Sequence, residues 1–159
     1  MAKNTPSMAK NQMRRCLQAI IDPHPTDAEV SELWMYFQSA CAYCGLSLTR
    51  GARDGHVDHV VPHSSRGSNS IYNHVLSCSR CNGDEKREED WESFLACKAL
   101  LPQQLAQRHA HIARWLERAI GHTGTPTVSP ADVEAIIESA LKSFDASVKQ
   151  LRALRQRRA

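Results

Sequence analysis

Apolar positions recur with helical spacing over most of the chain. Thr26-x-x-Glu29 has the form of a capping box. Behind it Val30, Leu33, Trp34 and Phe37 fall at i, i+3, i+4 and i+7, which predicts one buried face of a helix that stops near Ala40. A short apolar helix is expected near residues 16–21, closed by Pro23-His24-Pro25. The middle of the chain reads differently. Gly45, Gly51, Gly55 and Gly67 cut it into short pieces, with a strand expected over 56–61, a Ser/Asn/Gly-rich loop over 62–72 and a second short strand over 75–77. Helical spacing returns from residues 79–82 and carries past Trp91, Phe94 and Leu95. It resumes over 103–120, with Leu105, Ile112, Leu116 and Ile120 inward. After a Gly/Thr/Pro linker over 121–128, Ser129-Pro130 opens a long helix, Ser as N-cap and Pro at its first position. From Ile137 through Leu141, Phe144 and Val148 to Leu151 the apolar steps alternate 4-3-4-3. Such a stripe serves packing on the domain's own core or a seam with a second copy of the chain, a homodimer.

The 159 residues suit one compact domain with a helical appendage. The expected division is an N-terminal segment 1–25, flexible or short-helical, a central domain 26–100 and a C-terminal helical region 101–159. No apolar run approaches the ~18–20 residues of a membrane span, and the stretch MAKNTPSMAKNQMRR lacks a signal peptide's apolar core. A cytoplasmic protein with no membrane partner is expected. The net charge of +3 says little, but Lys149, Arg152, Arg155, Arg157 and Arg158 crowd the last eleven residues without an acid. Such a tail either draws in phosphate backbones by counterion release or simply suits the C-terminal end of a helix dipole.

Four of the six cysteines, Cys41, Cys44, Cys78 and Cys81, form two CxxC pairs with 33 residues between them. Two such turns supply the four thiolates of a tetrahedral zinc site. Four protein ligands leave no open position, so this Zn²⁺ is structural. Cys16 and Cys97 stand alone and read as apolar residues.

Between the knuckles runs Gly55-His56-Val57-Asp58-His59-Val60-Val61-Pro62-His63-Ser64-Ser65-Arg66-Gly67, then Asn73-His74-Val75-Leu76-Ser77-Cys78-Ser79-Arg80-Cys81-Asn82. The pattern CxxC…DHVxPxS…N…CxxCN, over residues 41–86, resembles the HNH endonuclease family in its HNN variant with a zinc knuckle. The resemblance implies an α+β fold, mostly helical, in which a small zinc-stapled ββα-metal core is flanked by N-terminal and C-terminal helices. It implies DNA as partner, double-stranded rather than single-stranded. It also implies roles: Asp58 and Asn82 as ligands of a catalytic divalent ion, His59 as general base, and Asn73 as the residue pinning the loop that carries His59.

The residue chemistry is compatible with those roles. An imidazole titrating near about 6.5 accepts a proton at neutral pH. A carboxylate and an amide oxygen are hard ligands suited to Mg²⁺ or Mn²⁺. In a strand Asp58 and His59 point to opposite faces, so both serve one site only if the strand ends or twists there. His56, His63 and His74 lie nearby; His63 and His74 are candidates to touch phosphate or to modulate the base. Arg66, Arg80, Lys86 and Arg87 are candidate phosphate contacts. The chain departs from the family in two places. Arg66 stands where a first loop glycine is common. Glu85 stands where a lysine is common three residues after Asn82, with Lys86 following. The segment after it is acidic: Asp84, Glu85, Glu88, Glu89, Asp90 and Glu92. The expected activity is metal-dependent hydrolysis of DNA phosphodiester bonds. The alternatives are a non-catalytic zinc module that binds nucleic acid and a protein-interaction scaffold using the C-terminal helix.

Overall fold

The computed structural model describes residues 4–65, 67–98, 100–122 and 128–157. The chain divides into two compact units, residues 24–124 and residues 1–23 with 125–159. The fold class is the expected one, mostly helical with one small antiparallel sheet.

The first unit holds α2 (Asp27–Tyr36), β1 (Gly55–His59), β2 (His74–Cys78), α3 (Trp91–Ala96) and α4 (Pro102–Leu116). Thr26 caps α2 as the sequence predicts: its hydroxyl accepts from Glu29 N, and the Glu29 carboxylate accepts from Thr26 N. The helix ends at Tyr36, short of Ala40, because Gln38 and Ser39 both turn left-handed at φ 52°. That reversal brings Ala40 beside Ser47 and starts the first cysteine turn.

β1 and β2 pair antiparallel, with Asp58 opposite Val75 and His59 opposite His74. Gly55 opens β1 because the Trp34 ring lies where a side chain would be; a Cβ there would meet it at 2.5 Å. After β2 the expected continuous helix is replaced by a π-helical turn, Arg80–Lys86, followed by a break. Arg87, at φ 48° and ψ −114°, stops it, and the Asp90 carboxylate caps a new helix, α3, by accepting from Glu92 N and Ser93 N.

One core joins these pieces. Leu33, Trp34 and Phe37, Val75 and Leu76, Phe94 and Leu95, and Ile112 and Trp115 form a single buried cluster. Trp115 is fully buried, and its indole N–H donates to His74 O at 2.8 Å, which fastens α4 to β2.

The second unit pairs α1 (Pro6–Ile21) with α5 (Pro130–Gln156). α1 starts ten residues before the expected apolar stretch because Thr5 caps it, accepting from Met8 N, with Pro6 at the first turn. Ser129-Pro130 opens α5 in the same order, but there the Ser129 side chain makes no capping hydrogen bond. Ion pairs Lys10–Asp145 and Arg14–Glu134 show the two helices to run antiparallel. Leu17, Ile20 and Ile21 face Val133, Ile136 and Ile137 across an apolar groove. Among the described residues no helix is long and apolar enough to cross a membrane.

Trp115→Ala removes a large ring and a buried donor together. It is expected to lower the unfolding free energy by about 3–5 kcal/mol, read as a lower denaturation midpoint in urea.

Candidate active site and metal centre

The two CxxC turns meet. The Sγ atoms of Cys41, Cys44, Cys78 and Cys81 all lie within 4.8 Å of one another, and Cys44 and Cys78 are 3.8 Å apart. Sulfurs at the corners of a tetrahedron about 2.3 Å from a zinc ion stand roughly 3.8 Å apart, so the tetrad fits such an ion. Three of the four residues are buried and Cys44 is half-buried. Local backbone sets the first turn: Gly45 N donates to Cys41 O and Cys41 N to Leu46 O. In the second, Cys81 N donates to Cys78 Sγ. Sulfurs this crowded cannot all ionise without a cation. A hydrogen bond from the Cys81 thiol pulls Cys41 down to about 4, and the same bond holds Cys81 well above the ordinary thiol range.

The second turn leads into a cavity of about 540 Å³ lined by Asp58, His59, Pro62, Asn82, Arg87 and Glu88. Asp58 and His59 are adjacent in β1, and alternation would send them to opposite faces. They share the cavity because β1 ends at His59. Asn82 reaches it from the π turn, next to Cys81.

Asp58 is 5% exposed and sits in a polar cage. Its Oδ2 accepts from the Tyr43 hydroxyl at 3.0 Å and lies 3.4 Å from Lys86 Nζ. Burial pushes the Asp58 carboxyl above its usual range, against the pull of the Lys86 ammonium and the Tyr43 hydroxyl. Desolvation raises Tyr43 well above an ordinary phenol, and the neighbouring Asp58 charge adds to it. Oδ1 of Asp58 has no protein partner among the described residues, so one hard oxygen remains for a cation.

Lys86 points inward. Its side chain is fully buried, and Nζ also donates to His59 O at 2.7 Å. The π turn ends at Lys86 and carries its side chain inward to Asp58 and His59. This puts the lysine under the site although Glu85 occupies the position three after Asn82. Removing Lys86 would strand a buried carboxylate.

Asn73 clamps the loop after β1. Its amide oxygen accepts from Val61 N at 3.0 Å, and its Nδ2 donates to Val61 O and Ser68 O. Gly67 passes so close beneath that a Cβ would meet Val61 O at 1.8 Å. Among the residues considered for phosphate contact, Arg87 lines the cavity, Arg80 is exposed and paired with Glu85, and Lys86 is the buried residue just described. Arg66 and the His63 side chain lie outside the described residues. Three of the acids after Asn82 have specific side-chain partners. Glu85 pairs with Arg80 and Lys98, Glu88 accepts from Ser64, and Glu92 pairs with His109.

Tyr43 and Asn69 were not singled out in the sequence, and Glu88 stood there only as one of the acidic run. Tyr43 had a signal, its place inside the first knuckle. Asn69 approaches His59 Nε2 at 3.2 Å and had none beyond lying in a polar loop.

Residues 41–88 match the family model of HNH endonucleases, which bears out the resemblance carried by the motif and takes in both cysteine pairs and the cavity residues. No curated protein matches the chain significantly. A crystal structure of Streptococcus thermophilus Cas9 in complex with AGGA PAM aligns with 98% of this chain at 16% identity and a TM-score of 0.43; the chain spans 19% of that protein's length.

Cys41→Ser and Cys78→Ser each remove one corner of the tetrad. Both are expected to lose bound zinc, measured by elemental analysis, and to melt at a lower temperature than the wild-type protein. An unchanged melting temperature in a soluble, zinc-free variant would contradict a structural role for the tetrad.

Proposed function

We propose that the chain is a metal-dependent endonuclease that hydrolyses DNA phosphodiester bonds at the cavity of Asp58, His59 and Asn82. The observation that carries this reading is the convergence of those three side chains on one cavity, beside a cysteine tetrad, within the segment matching a nuclease family. Asp58 Oδ1 and the Asn82 amide oxygen offer hard ligands for Mg²⁺ or Mn²⁺. Bound there, the ion supplies Lewis-acid stabilisation to the phosphate oxygens and the departing oxygen.

The protein's residues do the rest. His59 takes a proton from water as the water oxygen bonds to phosphorus and the bond to the 3′ oxygen breaks. Arg87, at the cavity wall, offers a cation to the phosphate. Lys86 and Tyr43 hold Asp58 in place. Asn73 holds the segment that follows His59. The tetrad, with Zn²⁺ as its occupant, sets Asn82 by fixing Cys81 beside it. Arg80 and the basic end of α5 are further phosphate contacts. Double-stranded DNA as substrate and a cytoplasmic location belong to the same proposal.

Supercoiled plasmid with Mg²⁺ or Mn²⁺ tests the reading. Wild-type protein is expected to nick or linearise it, EDTA to stop the reaction, and His59→Ala to slow it by at least ~100-fold while keeping its zinc. Substantial cleavage by His59→Ala would remove His59 as the base. Binding of DNA without cleavage under any metal, by folded zinc-loaded protein, would favour a non-catalytic nucleic-acid-binding module.

A further inference from the structure

His59 and His74 are directly opposed in the β1–β2 ladder, so their side chains leave the sheet on one face and meet. Their ring centroids are 4.1 Å apart, and the two Nε2 atoms are 3.1 Å apart. His74 is 2% exposed, and its other ring nitrogen, Nδ1, lies 2.8 Å from Ser70 O. Asn69 Oδ1 lies 3.2 Å from the same His59 Nε2.

The acceptors Ser70 O and Asn69 Oδ1 constrain the hydrogens of this chain. A carbonyl oxygen only accepts, so His74 Nδ1 carries a hydrogen and donates to Ser70 O. A neutral His74 then presents a lone pair at Nε2. An amide oxygen also only accepts, so His59 Nε2 must carry the hydrogen that faces Asn69 Oδ1. The two requirements agree: one N–H on His59 is shared between Asn69 Oδ1 and His74 Nε2. Moving that hydrogen to His59 Nδ1 would leave three acceptors facing one another. Doubly protonating His74 would place a cation on a buried ring and still leave Asn69 Oδ1 against a lone pair. His59 Nδ1 has no hydrogen-bond partner among the described residues.

We propose that His74, together with Asn69, is a positioning residue that fixes His59 in the Nε2–H tautomer and leaves Nδ1 as the nitrogen that takes the proton from water. This rests on the reading of His59 as the general base. The ligand-free tautomer, however, can be observed without any cleavage. A base held in the wrong tautomer presents N–H instead of a lone pair to the water, so the device acts on the chemical step and not on DNA affinity.

The test reads the ring nitrogens of zinc-loaded protein by long-range ¹H–¹⁵N correlation, without Mg²⁺ or Mn²⁺, at about pH 8, above the ordinary histidine range. His59→Gln identifies the His59 signals. In wild-type protein Nε2 of His59 is expected to be the protonated nitrogen. His74→Leu, which fills the site but cannot accept, is expected to move population to Nδ1–H. It should also lower kcat by ~10–100-fold with KM unchanged. His74→Gln, whose amide oxygen can accept, is expected to restore both the pattern and most of kcat; retained zinc shows that each variant is folded. Wild-type His59 carrying its hydrogen on Nδ1 would overturn the proposal, as would a His74→Leu protein with an unchanged ring-nitrogen pattern. Cleavage absent throughout, with the Nε2–H pattern present and lost in His74→Leu, would overturn the nuclease reading and leave the tautomer assignment standing.

Discussion

Four sulfurs drawn to one point hold the centre of this protein together. Between the cysteine turns lie two five-residue strands and a long loop, and a two-stranded sheet has little stability by itself in water. The tetrad closes both ends of that insertion at once, since Cys78 ends β2 and Cys81 is the second residue of the π turn. α2, α3 and α4 then cover the sheet with an apolar core in which Trp115 grips the backbone of His74. Everything the cavity presents is anchored to this arrangement: β1 carries Asp58 and His59, and the π turn carries Asn82.

A second constraint is a buried charge. Asp58 lies out of water, where among the described residues the Tyr43 hydroxyl and the Lys86 ammonium meet its carboxylate. Lys86 bonds both to the Asp58 carboxylate and to the backbone oxygen of His59, so one ammonium sets two neighbouring residues of β1. This occupies one carboxylate oxygen and leaves the other for a cation. Under the proposed function a divalent ion would complete the surroundings of this buried carboxylate.

Much of this was legible in the chain. The spacing of the cysteines, the adjacent Asp58-His59 and the Thr26 capping box each state a local rule, and local rules survive folding. What escaped depends on register and on phase. His59 meets His74 because the strands pair one way, and a shift by one residue would separate them. The break at Arg87 and the inward turn of Lys86 follow from a π turn, whose extra residue no apolar periodicity announces. Read with an α-helical period, Lys86 looks like a surface cation; the structure buries it. α1 began earlier than its apolar residues suggested because Thr5-Pro6 is a start signal that needs no apolar face. Of the acids after Asn82, a repulsive run on paper, Glu85 is engaged with Arg80 and Lys98, Glu88 with Ser64 and Glu92 with His109.

Under the proposed function one scaffold would carry two cation sites of different chemistry, sulfur-closed at the tetrad and oxygen-lined at the cavity. Titration of zinc-loaded protein with Mn²⁺, followed by electron paramagnetic resonance, tests this most directly. A single Mn²⁺ is expected to bind per chain, with affinity at least ~10-fold weaker in Asp58→Ala and in Asn82→Ala while zinc content stays the same. Equal Mn²⁺ affinity in the wild-type protein and both variants would contradict it.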